Sequence, residues 1–261
     1  MRGKVSIFLI VSLVVSLCAL TTLAQAEEKK PQLFVVWEYE VKPSMIEGFE
    51  AIVKEMVNQA YLSTYSYPWY IYSTDDFYYY SIQPLENYSD YKENLNAWKK
   101  VMKIMASDEK TKAMLNRFGD TYEYMKPWLV YHKPDLSYIP ENPRLKPEEE
   151  GFIRIYFFYI KGGREQKFEE VCREWVSLYK KYKIKERCNV FVGDIGTDTP
   201  FYVLTLSGKS AADFYINNPK TFEISGEESI KLWKKEVALA RKRELKNSWY
   251  RSGLSYIPKD K

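Results

Sequence analysis

Two segments of the chain, residues 34–41 and 152–160, are rich in β-branched and aromatic residues, and each is followed closely by a proline or a glycine pair. This pattern predicts β-strands. Behind each strand, apolar residues recur at intervals of three and four positions, which predicts an amphipathic helix packed on a sheet. The two apolar stripes correspond position by position: Phe49, Ile52, Val53, Met56, Val57 and Ala60 in the first, and Phe168, Val171, Cys172, Trp175, Val176 and Tyr179 in the second.

The rest of each half follows the same order of elements. After the helix, two runs of strand-forming residues predict a hairpin. Helical periodicity then returns before the half ends. The predicted hairpins pair residues 69–73 with 77–82 and 189–192 with 201–206, and the predicted helices cover 88–118, 211–217 and 227–246.

The sequence Leu-Ser-Tyr-Ile-Pro occurs twice, at residues 136–140 and 254–258, an offset of 118 positions. Such a repeat indicates an internal duplication. We predict that each copy forms the closing strand of its own half. The segment 141–150 contains two prolines and a run of carboxylates, which is typical of a linker. It separates a first unit at 32–140 from a second at 151–258.

The order β-α-β-β-α-β in each half predicts the ferredoxin-like unit, a four-stranded antiparallel sheet with helices on one face. Two such α+β units can cover their bare sheet faces with each other. With the strand-Pro-helix opening at residues 37–43 (WEYEVKP) and the following 48–50 (GFE), the chain resembles the dimeric α+β barrel superfamily, in particular its NIPSNAP, EthD and antibiotic-biosynthesis monooxygenase-like branches. The resemblance implies an intramolecular pseudo-dimeric barrel with a cleft between the sheets and their helices.

Alternation along the strands predicts which side chains face the helices and which face the barrel interior. The wholly apolar sets are assigned to the helices: Val35, Trp37, Tyr39 and Val41, and Ile153, Ile155, Phe157 and Tyr159. The opposite faces are assigned to the interior: Phe34, Val36, Glu38 and Glu40, and Phe152, Arg154, Tyr156 and Phe158. In the hairpins the predicted inner residues are Tyr70, Tyr72, Phe77, Tyr79, Asn189, Phe191 and Thr205.

Glu38 is then a carboxylate among aromatic side chains, which is unfavourable unless a partner satisfies it. One interpretation is a ligand cavity in which Glu38 acts as base or hydrogen-bond acceptor. The other is an ion pair between Glu38 and Arg154 that joins the two sheets. The candidate ligand-binding residues are Glu38, Glu40, Tyr70, Tyr72, Tyr79, Arg154, Tyr156 and Asn189, with Glu38 as the candidate catalytic group.

Few residues are available as metal or haem ligands. The chain has one histidine, His132, outside every predicted helix, whereas some barrel relatives hold haem through a helical histidine. We therefore predict neither a metal site nor a bound cofactor. Cys172 is predicted on the apolar stripe of the helix and Cys188 on the helix-facing side of its strand, where they form either one disulfide or two core thiols.

The N-terminus has the pattern of a signal peptide. Arg2 and Lys4 precede an uncharged apolar run, and Ala24-Gln25-Ala26 follows it, so cleavage after Ala26 is expected, with a periplasmic or secreted product and no stable membrane span. The chain has 39 Lys+Arg and 35 Asp+Glu, and removing residues 1–26 leaves 37 against 35. A net charge of +2 indicates no nucleic-acid partner.

These features predict an exported protein that binds a small apolar or aromatic molecule in the barrel interior or the adjoining cleft. One alternative, which the resemblance permits, is a cofactor-independent monooxygenase or isomerase. A further alternative is a non-catalytic scaffold or oligomerising protein with a fully packed interior.

Overall fold

The computed structural model describes residues 31–63 and 65–259. The predicted signal peptide lies outside these residues. Among those described, no helix combines the length and the hydropathy that crossing a bilayer requires.

The first unit contains four strands and three helices in the order β-α-β-β-α-α-β. They are β1 (Gln32–Val41), α1 (Ile46–Leu62), β2 (Tyr70–Thr74), β3 (Tyr78–Leu85), α2 (Tyr88–Ser107), α3 (Glu109–Phe118) and β4 (Tyr122–His132). The predicted helix at 88–118 is therefore interrupted at Asp108, whose side chain caps α3 by accepting hydrogen bonds from the backbone of Lys110 and Thr111.

The second unit repeats this plan with one long second helix. Its elements are β5 (Phe152–Ile160), α4 (Glu165–Lys181), β6 (Cys188–Gly193), β7 (Phe201–Gly208), α5 (Ala211–Leu239) and β8 (Ala240–Tyr250). Gly226 breaks α5 with φ 56° and ψ −133°, a conformation that favours glycine.

The eight strands form one closed barrel in the order β1-β3-β2-β8-β5-β7-β6-β4, with every adjacent pair antiparallel. Each unit contributes four strands in ferredoxin-like order, β4-β1-β3-β2 and β8-β5-β7-β6. The two sheets join at the seams β2–β8 and β4–β6, which leaves the barrel without an exposed edge. The predicted fold class, two ferredoxin-like units fused into one barrel, is confirmed.

The helices pack on the outside of the barrel, and a separate apolar cluster occupies part of its interior. In the first unit Phe49 of α1 packs on Tyr39, and in the second Phe168 of α4 packs on Phe158. The buried interior cluster consists of Val36, Tyr80, Trp128, Val130, Phe157, Phe201 and Val203.

The predicted faces of β1 are correct, but those of β5 are reversed. Phe157 lies inside the barrel, whereas Tyr156 and Phe158 face the helices, as does Arg154. Tyr39 and Phe158 occupy equivalent places at an offset of 119, not 118. Because successive side chains point to opposite faces, this one-residue error moves the whole strand pattern to the wrong side.

The predicted faces of β3 are also reversed. Tyr78 and Tyr80 face the barrel interior, while Tyr79 packs against α1. Phe77 does not belong to the strand: its φ of 67° places it in the turn that precedes β3. If the alternation of β3 is taken to begin at Phe77 on the inner face, every residue of the strand is assigned to the opposite face from the one it occupies.

The closing strands differ from prediction in both units. They are β4 and β8, which precede the Leu-Ser-Tyr-Ile-Pro repeats, and the helix expected at 227–246 ends at Leu239. The strand β8 has the charged sequence ARKRELKNSWY, which has little intrinsic strand preference. Pairing with β5 and β2 on its two sides fixes it as a strand, so tertiary context overrides local preference.

Each Leu-Ser-Tyr-Ile-Pro segment crosses to the other unit. Tyr256 exchanges two backbone hydrogen bonds of 2.9 Å with Trp69 in the first unit, and Tyr138 pairs in the same way with Cys188 in the second. The serine hydroxyls accept equivalent backbone hydrogen bonds, Ser255 from Ile71 (2.8 Å) and Ser137 from Val190 (2.9 Å). The repeat thus ties the two units together reciprocally.

Candidate functional site

An apolar cavity of about 380 Å³ lies in the second unit between the outer face of its sheet and helices α4 and α5. We call it the second-unit cavity. Phe158 and Leu204 form its floor on the sheet, and Val176, Phe222 and Trp233 contribute from the helices. A cavity of this size with mainly apolar walls is typical of sites for small molecules.

One buried acid, Glu236 of α5, lines this cavity and is only 5% exposed. Burial raises the pKa of its carboxyl group to about 7, and the positive charge of Arg243 opposes the shift. No hydrogen bond or ion pair from another described residue reaches the carboxyl group. The group can therefore exchange a proton near neutral pH and has its hydrogen-bonding capacity available to a ligand.

Two donors on the same cavity also lack partners within the described part of the chain. They are the indole Nε1 of Trp175 and the Nε of Arg243, both buried. The Arg243 guanidinium lies 5.0 Å from the centre of the Tyr156 ring. Because a buried polar group without a partner costs about 1–3 kcal/mol, an apolar cavity with one such acid and two such donors is suited to a ligand that carries polar atoms.

Arg154 and Tyr156, which the sequence places in the barrel interior, line this cavity instead. Arg154 donates hydrogen bonds to the hydroxyl of Tyr215 (2.9 Å) and to Asn247. The predicted ion pair with Glu38 is wrong, because the reversed phase of β5 puts Arg154 outside the barrel and Glu38 lies inside.

Cys172 and Cys188 line the same cavity as free thiols. Burial raises the pKa of Cys188 to about 12 and also raises that of Cys172. Thiolates are the reactive form, so both groups are protected from oxidation at neutral pH. Of the two alternatives that the sequence leaves open, a disulfide or two core thiols, the structure contains the two thiols.

We expect unreduced protein lacking residues 1–26 to contain two titratable thiols after denaturation and to react slowly when native. Ellman's reagent with and without denaturant measures both quantities. A count of zero in the denatured, unreduced protein would mean that the two cysteines form a disulfide.

The first unit provides an internal comparison. Its equivalent cavity has a volume of about 340 Å³ and is lined by Phe118. Phe118 lies four residues before β4, just as Glu236 lies four residues before β8, so the two residues occupy equivalent positions. Two of its polar side chains are linked to each other: the amide of Asn94 donates to Gln83 (2.9 Å), and it also accepts from the hydroxyl of Tyr65 (2.8 Å). The second-unit cavity differs by its buried acid and by the buried N–H groups of Trp175 and Arg243, and this difference favours it as the functional site.

A third cavity, of about 430 Å³, opens at one end of the barrel interior, and Glu38 lines it. We call it the barrel-mouth cavity. Glu38 accepts hydrogen bonds from the hydroxyl of Tyr124 (2.6 Å) and from Nε1 of Trp128 (3.1 Å). Glu40 lies on the same strand face near Tyr78 and, together with burial and Glu38, raises the pKa of that tyrosine.

The other predicted residues do not join either cavity. Tyr70 and Tyr72 face the interior, and the Tyr72 ring packs 5.4 Å from that of Tyr250. Tyr79 faces α1 and donates a hydrogen bond of 2.7 Å to Glu50. Asn189 is half-buried on β6. The predicted cluster is thus divided among several locations.

Sequence reasoning missed Glu236, although a signal was present. Ser225, Ser229, Leu232 and Glu236 follow one another at helical intervals and are all buried. An acid on the buried stripe of an amphipathic helix is unusual and marks a candidate site. The helix predicted over 227–246 continues into a run of charged residues, and among these Glu236 is indistinguishable from a solvent-facing acid.

The donor set does not suit haem or a metal ion. His132 lies at the end of β4, with Nε2 3.1 Å from the hydroxyl of Ser137, and it lines neither cavity. The residues that the structure describes contain no group of three or more His, Cys, Asp or Glu side chains placed to bind a metal.

No protein-family model and no curated protein matches the chain. Solved structures do match its fold. An anthrone oxidase-like protein aligns with a TM-score of 0.59 at 11% identity, over 85% of this chain and 92% of the other. A candidate monooxygenase from Lactobacillus acidophilus NCFM aligns with a TM-score of 0.52 at 6% identity, over 88% of this chain and 97% of the other. A mutant chlorite dismutase from Candidatus Nitrospira defluvii aligns with a TM-score of 0.51 at 10% identity, over 85% of this chain and 92% of the other.

These alignments span both units of the chain and nearly the full length of each neighbour. At such low identities they establish the fold and nothing further. The chain has the dimeric α+β barrel fold, with both halves of the barrel supplied by one polypeptide.

Proposed function

We propose that the protein binds a small, flat, largely apolar molecule with a hydroxyl or carbonyl group in the second-unit cavity. The observation that carries the proposal is the set of unpartnered polar groups on an apolar cavity: the carboxyl group of Glu236 and the N–H groups of Trp175 and Arg243. Glu236 would accept a hydrogen bond from the ligand, and the two donors, which are buried in the cavity wall, would hold an oxygen atom once their side chains turn towards the ligand.

We also propose that this binding takes place in the periplasm or outside the cell. The support is the signal-peptide pattern of residues 1–26.

Binding of 1-naphthol tests the site against naphthalene, which has the same rings without the hydroxyl group. We expect the wild type to bind 1-naphthol more tightly, and Glu236→Gln to lose about tenfold or more of that affinity, because a hydrogen bond to a charged group contributes about 1.5–3 kcal/mol. Affinity in the wild type should rise as the pH passes 7, where Glu236 ionises. Calorimetric titration at pH 6 and pH 8 measures both effects.

Glu227→Gln is the matched control, since it removes a carboxylate from the same helix at a side chain that is 90% exposed. It should bind 1-naphthol like the wild type. Val176→Phe narrows the cavity without changing charge and should weaken both compounds. Equal affinity for both compounds in wild type and Glu236→Gln would contradict the proposal. Mass spectrometry of molecules released from the denatured protein would identify a natural ligand.

The second candidate function is a cofactor-independent monooxygenase at the same site. Two observations favour it: the carboxyl group with a pKa of about 7, and the fold shared with a candidate monooxygenase and an anthrone oxidase-like protein. Glu236 would remove a proton from an acidic methylene between aromatic groups. The carbanion would be oxidised by O₂, so that CH₂ and O₂ become C=O and H₂O.

Oxygen uptake with anthrone as substrate tests this candidate. Uptake above the buffer rate that is lost in Glu236→Gln and kept in Glu227→Gln would support an enzyme. Uptake no faster than in buffer, with 1-naphthol still bound, would leave the binding function and exclude the oxygenation of anthrone.

A further inference from the structure

Aromatic rings surround the barrel-mouth cavity. Four of the residues that carry these rings are buried and between 3% and 7% exposed: Tyr80, Trp128, Phe157 and Phe201. They form a continuous group, since the ring centres of Trp128 and Phe201 and those of Phe157 and Phe201 are each 5.8 Å apart. Tyr78, Tyr124 and Tyr159 extend this wall towards the rim.

The carboxylate of Glu38 is the acidic group placed among these rings. Both its hydrogen bonds come from neutral donors, the Tyr124 hydroxyl and the Trp128 indole. These donors orient the carboxylate without cancelling its charge. Among the described residues, no ion pair cancels that charge either. A carboxylate has about four acceptor positions, so two remain for a ligand.

The other charges at the cavity are largely balanced by one another. Lys246 pairs with Asp76, and Lys242 pairs with Glu244. Lys126 and Asp198, of opposite sign, are exposed. Lys126 lies opposite Glu38 in the β1–β4 register but forms no ion pair with it, so the inner-wall charge that no ion pair among the described residues compensates is the carboxylate of Glu38.

The chain already places cations on two rings of this wall. The ammonium group of Lys246 lies 3.4 Å from the centre of the Tyr78 ring, and that of Lys242 lies 4.9 Å from the centre of the Tyr159 ring. The faces of aromatic rings attract cations, most strongly where water is excluded. The buried rings farther inside are suited to the same interaction with a ligand.

We propose that the barrel-mouth cavity binds a small organic ammonium ion, held by the aromatic wall and by the carboxylate of Glu38. The site is independent of the second-unit cavity: it lies inside the barrel, whereas Glu236 lies outside it, and it selects a cation in place of a flat, uncharged molecule. Its volume of about 430 Å³ accommodates an alkylammonium or arylalkylammonium ion.

Choline and 3,3-dimethylbutan-1-ol are suitable probes, because the alcohol has nearly the same shape without the positive charge. Calorimetric titration of the full chain should detect choline binding at least tenfold tighter than binding of the alcohol. Glu38→Gln should lose about tenfold or more of the choline affinity. Glu109→Gln, which removes the same charge at a side chain of α3 that is 91% exposed, should keep it.

The indole N–H resonance of Trp128, assigned by its loss in Trp128→Phe, reports the location and should shift on addition of choline. Comparable affinity for choline and the alcohol, unchanged choline affinity in Glu38→Gln, or an unmoved Trp128 resonance at saturation would each overturn the proposal. If Glu38→Gln does not fold, Phe201→Leu is titrated with choline in its place, because this change removes one ring from the aromatic wall. An unchanged choline affinity in Phe201→Leu would also overturn the proposal. None of these measurements depends on the outcome for Glu236.

Discussion

Replacing Tyr256 with alanine is expected to lower the free energy of unfolding by about 3–5 kcal/mol, the usual effect of truncating a buried aromatic residue. Tyr256 is 2% exposed, and its ring lies 4.7 Å from that of Tyr61 and 4.8 Å from that of Trp69. Its hydroxyl donates to the backbone oxygen of Tyr65. The second unit thereby anchors its C-terminal segment in the first unit, and equilibrium urea denaturation measures the loss.

The duplication provides the reciprocal test. Tyr138 is 6% exposed and donates a hydrogen bond of 2.7 Å to the backbone oxygen of Ile184 in the second unit, so Tyr138→Ala should have a comparable effect. Ile257→Ala is the matched control, because Ile257 is adjacent to Tyr256 and 53% exposed. A loss below about 1 kcal/mol for Tyr256→Ala would mean that the repeat does not tie the units together.

Glu236→Gln should stabilise the protein at alkaline pH relative to acid pH. In the folded chain the pKa of Glu236 is raised from 4.5 to about 7, so the folded state holds this proton more tightly than the unfolded state does. The contribution of the protonated Glu236 to the free energy of unfolding is fully present below pH 4.5 and is lost as the pH rises through 7. A shift of this size corresponds to about 3 kcal/mol.

The measurement is urea denaturation of wild type and variant at pH 4.5 and pH 8. The difference in unfolding free energy between Glu236→Gln and wild type should increase by about 3 kcal/mol in favour of the variant between these values. Glu227→Gln should show no such change, because its side chain is 90% exposed. The same difference at both pH values for Glu236→Gln would mean that its carboxyl group has an ordinary pKa.

Local pattern was sufficient to predict the fold class. The apolar stripes containing Phe49 and Phe168 predict the two equivalent helices, and the five-residue repeat indicates the duplication. Two ferredoxin-like units then need to cover their bare sheet faces, for which a barrel is a natural solution. These inferences use either the spacing of residues that are near one another in sequence or the similarity of the two halves, and neither requires knowledge of tertiary contacts.

Predicting the site was harder, because it depends on phase and on distant contacts. A one-residue error in the offset reverses the faces of β5 and separates Arg154 from Glu38. The strand β8 forms because two other strands pair with it, so its charged sequence does not reveal it. The burial of Glu236 likewise depends on how α5 packs over the sheet.

The sequence by itself determined the duplicated α+β units, the helix stripes that cover their sheets and the placement of Glu38 on the inner face of β1. Only the tertiary structure decided that the repeats cross between units, that Glu236 replaces the ring of Phe118 at an equivalent position, and that the polar groups divide between two cavities. The physical reason is that periodicity assigns a side chain to a face, whereas burial and charge compensation arise from surfaces that meet only when elements far apart in the sequence pack together.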